Sequence, residues 1–281
     1  MTLVSTVACS HLRPFRVSEG EPRATPAARA GSEQQEQQQL LQQKQKRQYV
    51  PLSLGREDDY VVRIVVGSVT CSGTLFEEDR VLTAHHCVSA RNKYGDFEKR
   101  NVPAREVRVE FGGDYMPWAD IGVRAIVTPP CGYAAGEGDI AVLVLDKKLK
   151  GLKTAKLRLD QTPKLGERVE PAGFGRCGLS TDAIKRRDRA GGKVDKIYES
   201  RFRTDAAICP GDSGGPAFDD KTGEVVGIIS AAAMDGSEST LDRAEFTRID
   251  RWRAVFSTAA LIADGTSPTE VPPVDGCPAP P

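Results

Sequence analysis

The sequence predicts an all-β protein: two antiparallel β-barrels in series, followed by one C-terminal α-helix. Three observations predict it. Tyr60–Val66, Cys71–Phe76, Arg80–Ala84, Glu106–Phe111, Ile121–Val127 and Asp139–Leu145 are short β-type runs, several of them alternating, divided by Gly, Pro and Asp turns. Strands at that spacing suit a closed antiparallel barrel. The stretch from Arg168 to Ile249 repeats the texture, with runs at Arg168–Gly175, Val194–Phe202, Gly215–Phe218, Val225–Ser230 and Ala244–Ile249. Beyond it, Trp252, Val255, Phe256, Ala259, Ala260 and Ile262 recur at near-helical spacing, so 250–263 is read as an amphipathic helix stopping before Gly265.

Taken in order, residues 1–10 hold a short apolar stretch, Leu3 to Ala8, which reads as the end of a signal segment. Thr6-Val7-Ala8-Cys9 also has the look of a lipoprotein cleavage box, which would make Cys9 a lipid anchor. Residues 11–56, rich in Pro, Ala and Arg and then in Gln and Glu, bury too little apolar surface to offset their ordering entropy and read as a linker or propeptide. The compact part is expected over 57–265, its first barrel at about 57–150 and its second at about 157–249, joined by a lysine-rich crossing segment at 147–156. Lys185 to Lys193 reads as an exposed loop open to nicking. Residues 266–281 form a Pro-rich tail.

Composition narrows the function. Lys plus Arg and Asp plus Glu stand at 39 each in 281 residues, so no net field recruits nucleic acid or an anionic membrane. No sequence feature calls for a cofactor, and a monomer is expected.

The chemistry centres on Cys209-Pro-Gly-Asp-Ser-Gly-Gly-Pro216. A serine hydroxyl is a poor nucleophile at neutral pH and needs a base, a group orienting that base, and donors facing the oxygen that becomes negative. Gly211 and Gly214 permit a tight turn whose amides at Gly211 and Ser213 converge on one point. Upstream, Thr83-Ala-His-His-Cys87 follows one β-run, and Gly138-Asp-Ile-Ala-Val-Leu-Val-Leu145 sets an acid at the mouth of another. With Cys71-Ser-Gly-Thr-Leu and Val226-Gly-Ile-Ile-Ser beside them, these motifs resemble the chymotrypsin family of serine endopeptidases over roughly Tyr60 to Ala260.

The resemblance implies two six-stranded barrels with the triad in the cleft between them. Ser213 would attack the scissile carbonyl, His86 would carry the proton, Asp139 would orient His86, and the amides of Gly211 and Ser213 would hold the oxyanion. It selects His86 over His85, because the family places its base directly before the cysteine. A zinc site from His85, His86, Cys71 and Cys87 lacks a metal-ligand spacing, so no metal is expected.

The resemblance also pairs Cys71 with Cys87, and a disulfide implies an oxidising, extracytoplasmic compartment. Of the seven cysteines, Cys131, Cys177, Cys209 and Cys277 permit three connectivities. Cys177 with Cys209 is preferred, which leaves Cys131 with Cys277 to tie the tail to the first half.

Two departures stand out. In the family the carboxylate at Asp212 is structural and pairs with the amine of a newly cut Ile-Val-Gly-Gly terminus, a tetrapeptide absent here between Gln42 and Ser72. An unpaired buried carboxylate is costly, so a processed terminus or a side chain from elsewhere must serve. The resemblance puts Ala207 at the position that selects the substrate, with Ser230, Ala231, Ala232 and Ala244 as walls. A neutral pocket for small or apolar side chains follows, unless Asp205 or Asp242 reaches in. The expected activity is peptide-bond hydrolysis in protein or peptide substrates through an acyl-enzyme; the rival is a latent or non-catalytic binding protein on the same fold.

Overall fold

The computed structural model describes residues 58–112, 116–132, 137–176, 186–232, 243–275 and 277. The segments 1–10 and 11–56, with Cys9, lie outside the described residues, as do Cys177 and Asp242.

The first barrel closes in the order β1-β2-β3-β8-β7-β6, from β1 Val61–Val66, β2 Val69–Glu77, β3 Arg80–Thr83, β6 Val107–Phe111, β7 Ala119–Val127 and β8 Ala141–Leu145. In β1 and β6 alternate residues enter the core, and outside it Arg63 lies opposite Glu110 and pairs with it. β8 is buried along its whole length. Its inner side faces the barrel, and helix α1, Arg253–Ala263, packs against it. That double burial is why its sequence is an unbroken apolar run.

The second barrel contains β9 Arg168–Gly173, β11 Gly192–Ile197, β12 Arg201–Thr204, β15 Ala244–Arg248, β14 Val225–Ala232 and β13 Pro216–Asp219, closed by the β9–β13 pairing. Phe202 and Phe246 stack at 5.1 Å in its core, with Val169, Ala217 and Ile229 around them.

The two-barrel expectation holds, and the structure differs in four details. A hairpin of β4 Ser89–Arg91 and β5 Phe97–Asn101 follows the histidines; its charged residues hid it from periodicity. The single run read over Val194–Phe202 is two strands, β11 and β12, turning where the Tyr198 amide meets the Arg201 carbonyl at 2.8 Å. The helix begins at Arg253, because Asp250 is held by Arg248 and Thr162 in the preceding turn. Finally, the stretch read as an exposed loop contains β10, Arg187–Asp188, paired to β9, and two buried arginines, Arg186 and Arg189.

Cys71 is bonded to Cys87, and Cys131 to Cys277. Cys209 is also disulfide-bonded. Among the described residues no helix is long and apolar enough to cross a membrane.

Candidate active site

His86 lies on a 3-10 turn, His85–Cys87, rather than on extended chain, and the turn sends the two imidazoles apart. His85 is fully buried and binds Asn101 through Nε2 at 2.8 Å. His86 turns its Nδ1 to Asp139, 2.9 Å from Oδ2, while its own amide donates to Oδ1 at 2.9 Å. Asp139 is fully buried just ahead of β8 and also accepts the Ser230 hydroxyl at 2.5 Å. Burial alone would push the Asp139 carboxyl up; the charge of His86 and hydrogen bonds from the His86 ring, Ser230 and the His86 amide outweigh it and hold the group below the usual carboxylate range. Nδ1 is thereby committed to Asp139, which leaves Nε2 as the ring nitrogen on the far side from the carboxylate.

Ser213 comes from the second barrel, and backbone contacts bring it to the first. The Ser72 amide donates to the Ser213 carbonyl at 2.8 Å, and the Ser72 hydroxyl donates to the Gly211 carbonyl at 2.8 Å. Gly214, at φ +83, passes so close that a β-carbon there would lie 2.1 Å from Thr83 Oγ1 and 2.3 Å from the Ser72 carbonyl. Only glycine lets the turn approach the strand that leads into the histidines. The Ser213 carbonyl lies 3.6 Å from Cys87 Sγ, and His86 Nε2 lies 3.7 Å from the same sulfur. Among the described residues the amides of Gly211 and Ser213 donate to no protein acceptor, so the turn offers two unspent donors beside the serine.

Asp212, between them, is fully buried and has four donors. The Gly175 amide reaches Oδ1 at 2.7 Å and the Cys209 amide reaches Oδ2 at 2.8 Å. Arg189 completes the set with a fork, Nε to Oδ2 at 2.7 Å and Nη2 to Oδ1 at 2.8 Å. Its side chain is 8% exposed and also binds the Gly175 carbonyl. The partner that the sequence left open is thus a side chain. No terminal amine is needed.

Of the expected pocket residues, Ala244 is fully buried in the core of the second barrel. Ala231 lies opposite Glu245 and Ala232 opposite Ala244 on adjacent strands, next to Ser230. Ala207 is half-buried, its amide on the Ala190 carbonyl. Asp205 turns away, exposed, to cap the Lys193 amide at 2.6 Å. Two features escaped sequence reading. Arg189 sits among charged residues that look like a solvated loop, and the β4–β5 hairpin sets the Phe97 ring 5.7 Å from the His86 ring. The ligand atoms of Cys71, His86 and Cys87 cluster within 4.8 Å, but both sulfurs are spent in the disulfide and offer no thiolate.

Two predictions follow from these contacts. Arg189→Met leaves the Asp212 charge buried with only amide donors, and should lower unfolding free energy by about 3–5 kcal/mol in denaturant titrations. His85 is held below the ordinary histidine value of 6.5, first by burial, with the Asn101 bond and the Asp139 charge offsetting part of it. Below that value the unfolded chain takes up a proton that the folded chain refuses, so stability falls as pH drops from 6.5 toward the folded value and is unaffected above it. The slope should approach about 1.4 kcal/mol per pH unit. Urea titrations at about pH 7.5 and about pH 5.5 should show that loss shrinking in His85→Gln.

Comparison with known proteins fits this geometry. A family model described as Trypsin matches residues 52–255. A probable periplasmic serine endoprotease, DegP-like, of Pseudomonas savastanoi pv. phaseolicola is 41% identical over 96 residues, covering 33% of this chain and 19% of that protein. Trypsin iota of Drosophila melanogaster is 29% identical over 184 residues, covering 57% and 67%. The chain thus spans about a fifth of the first relative's length and about two thirds of the second's. Among solved structures, a Glu endopeptidase in complex with MPD superposes with TM-score 0.58 at 17% identity, covering 78% of this chain and 95% of that one. Neuropsin, a serine protease expressed in the limbic system of mouse brain, gives 0.56 at 19%, covering 76% and 97%. The scabies mite inactivated protease paralogue S-D1 gives 0.58 at 19%, covering 74% and 93%. At these identities the structures speak to the fold alone, whereas the family model spans most of the sequence: this chain belongs to the trypsin family of chymotrypsin-like serine endopeptidases.

Proposed function

We propose that the chain hydrolyses peptide bonds through an acyl-enzyme on Ser213. The observation that carries the reading is the set of bonds around His86: Asp139 takes Nδ1, and Nε2 lies against the same sulfur as the Ser213 carbonyl. Nε2 removes the hydroxyl proton as Ser213 Oγ attacks the substrate carbonyl, and returns it to the departing amine as the C–N bond breaks. Water then repeats the cycle, with its proton passing through His86 to regenerate the serine and its oxygen leaving on the new carboxylate. Negative charge on the tetrahedral oxygen falls to the amides of Gly211 and Ser213, which no acceptor among the described residues occupies. These roles follow the general template for serine catalysis.

The rival reading, a latent or non-catalytic protein, drew on Asp212 lacking a partner. Arg189 supplies one, which supports activity without a newly cut terminus. The small, uncharged side chains of Ala207 and Ala231 support a preference for small or apolar side chains before the scissile bond, with Ser230 backing Asp139. The disulfides support an extracytoplasmic site of action.

A fluorophosphonate probe should label the wild-type chain at Ser213 and fail on Ser213→Ala and His86→Ala. Ser213→Ala should also lower turnover by roughly four to six orders of magnitude, with the melting temperature nearly unchanged. Absence of labelling in the folded wild type would overturn the reading. A peptide library digested with the wild-type chain should be cut mainly after small or apolar residues; cleavage mainly after Lys or Arg would overturn the pocket assignment.

A further inference from the structure

Arg189 reaches Asp212 from a segment running along β9, where its own amide bonds the Pro171 carbonyl at 2.8 Å and the next carbonyl, of Ala190, takes the Ala207 amide at 3.1 Å. The β10 strand has two residues, Arg187 and Asp188, both exposed, and one neighbour, β9. The ladder proper is short, and the side chains at its two ends add to what holds it. What flanks it is better anchored. On one side is the Arg189 fork on Asp212; on the other is Arg186, whose side chain is 6% exposed.

Arg186 is gripped by residues at the threshold of the first barrel. Its Nη1 donates to Asp59 Oδ1 at 3.0 Å and its Nη2 to Asp58 Oδ2 at 3.3 Å. Asp59 is 3% exposed, and its other oxygen accepts the Trp118 indole N–H at 3.0 Å. Trp118 is fixed in turn by its amide on the Phe111 carbonyl and its ring against Phe111 at 5.8 Å. The grip is therefore rooted in the β6–β7 turn of one barrel and holds a segment of the other.

We propose that Asp59 is a positioning residue for the turn that carries Ser213: by gripping Arg186 it fixes the segment that delivers Arg189 to Asp212. Only Arg187 and Asp188 separate the two anchors in chain order, too few to absorb a displacement at one end. The arginine fork at Asp212 demands planar alignment, so a shift of about 1 Å at its root costs part of it. Asp212 then loses its full complement of donors, and the amides of Gly211 and Ser213 lose their common aim. Arginine suits position 186 because its two terminal nitrogens reach two carboxylates at once, as a lysine ammonium cannot in that geometry.

The proposal rests on the reading of Gly211 and Ser213 as oxyanion donors for its kinetic consequence, but not for its structural one. The test uses the full chain with Asp59→Asn and Arg186→Lys, each alone and combined with Arg189→Lys, which keeps the charge and loses the fork. Peptide hydrolysis, thermal unfolding and amide hydrogen exchange at Cys209 and Asp212 are measured in every variant. Both amides are bonded within the turn in the wild type. Asp59→Asn should lower kcat roughly 3- to 30-fold with KM held, and exchange at those two amides should quicken by a similar factor while the barrel strands keep theirs. In the Arg189→Lys background both effects should vanish, because the route they travel is already cut. Full additivity with Arg189→Lys would overturn the proposal. So would unchanged kcat and exchange, or exchange quickened evenly across the whole protein. If the folded wild type resists the fluorophosphonate, the protease reading fails by itself, and the exchange measurements still decide the role of Asp59.

Discussion

The structure depends on one buried charge. Asp212 adjoins the serine on the turn and is sealed from water, so its ionised carboxylate exists there only because donors surround it. Two are amides of the chain nearby and two are the nitrogens of Arg189. The carboxylate pins its own turn at Cys209 and the neighbouring segment at Gly175, and the Gly211 and Ser213 amides of that turn bond no acceptor among the described residues. A turn that would otherwise relax to satisfy its own donors is kept from doing so. Unspent donors are costly in a fold and useful in a reaction that makes an anion, because they need no reorganisation when charge appears.

The second requirement is that the two barrels meet at one point. Small residues and backbone groups achieve this. Ser72 does three things from one position: its amide holds the Ser213 carbonyl, its hydroxyl holds the Gly211 carbonyl, and that same oxygen accepts the Phe174 amide. Its own carbonyl is held by Thr83, two residues before the first histidine. The adjacent Cys71–Cys87 bond ties this strand to the histidine turn. Placement of the imidazole, the carboxylate and the serine turn therefore follows from a contiguous set of covalent and hydrogen-bonded contacts, with Asp139 and Ser230 closing it from opposite barrels.

Much of this was legible beforehand because it is local. Alternation in β1 and β6, the apolar run of β8 and the helical stripe ending at Ile262 report burial directly, since a side chain's neighbours along a strand or helix are set by its period. Glycines at 211 and 214 likewise announced a tight turn around the serine. The stretch from Arg186 to Arg189 misled for the opposite reason. Charged residues in sequence look solvated, and nothing within the window reveals that carboxylates at 59 and 212 wait to receive two of them. The β4–β5 hairpin was missed because its strands carry charge on both faces, which erases the period-two signal.

By itself, then, the order of residues determined the all-β class, the cysteine nearest the base, and the three short motifs that carry the serine, imidazole and carboxylate. Each of these is written in adjacent residues. Only the tertiary structure decided that Arg189 answers Asp212, that Asp205 caps the Lys193 amide, and that Asp59 reaches across to Arg186. Those are pairings between positions far apart in the chain, and they are chosen by which charges are driven out of water together, a quantity that no local pattern records.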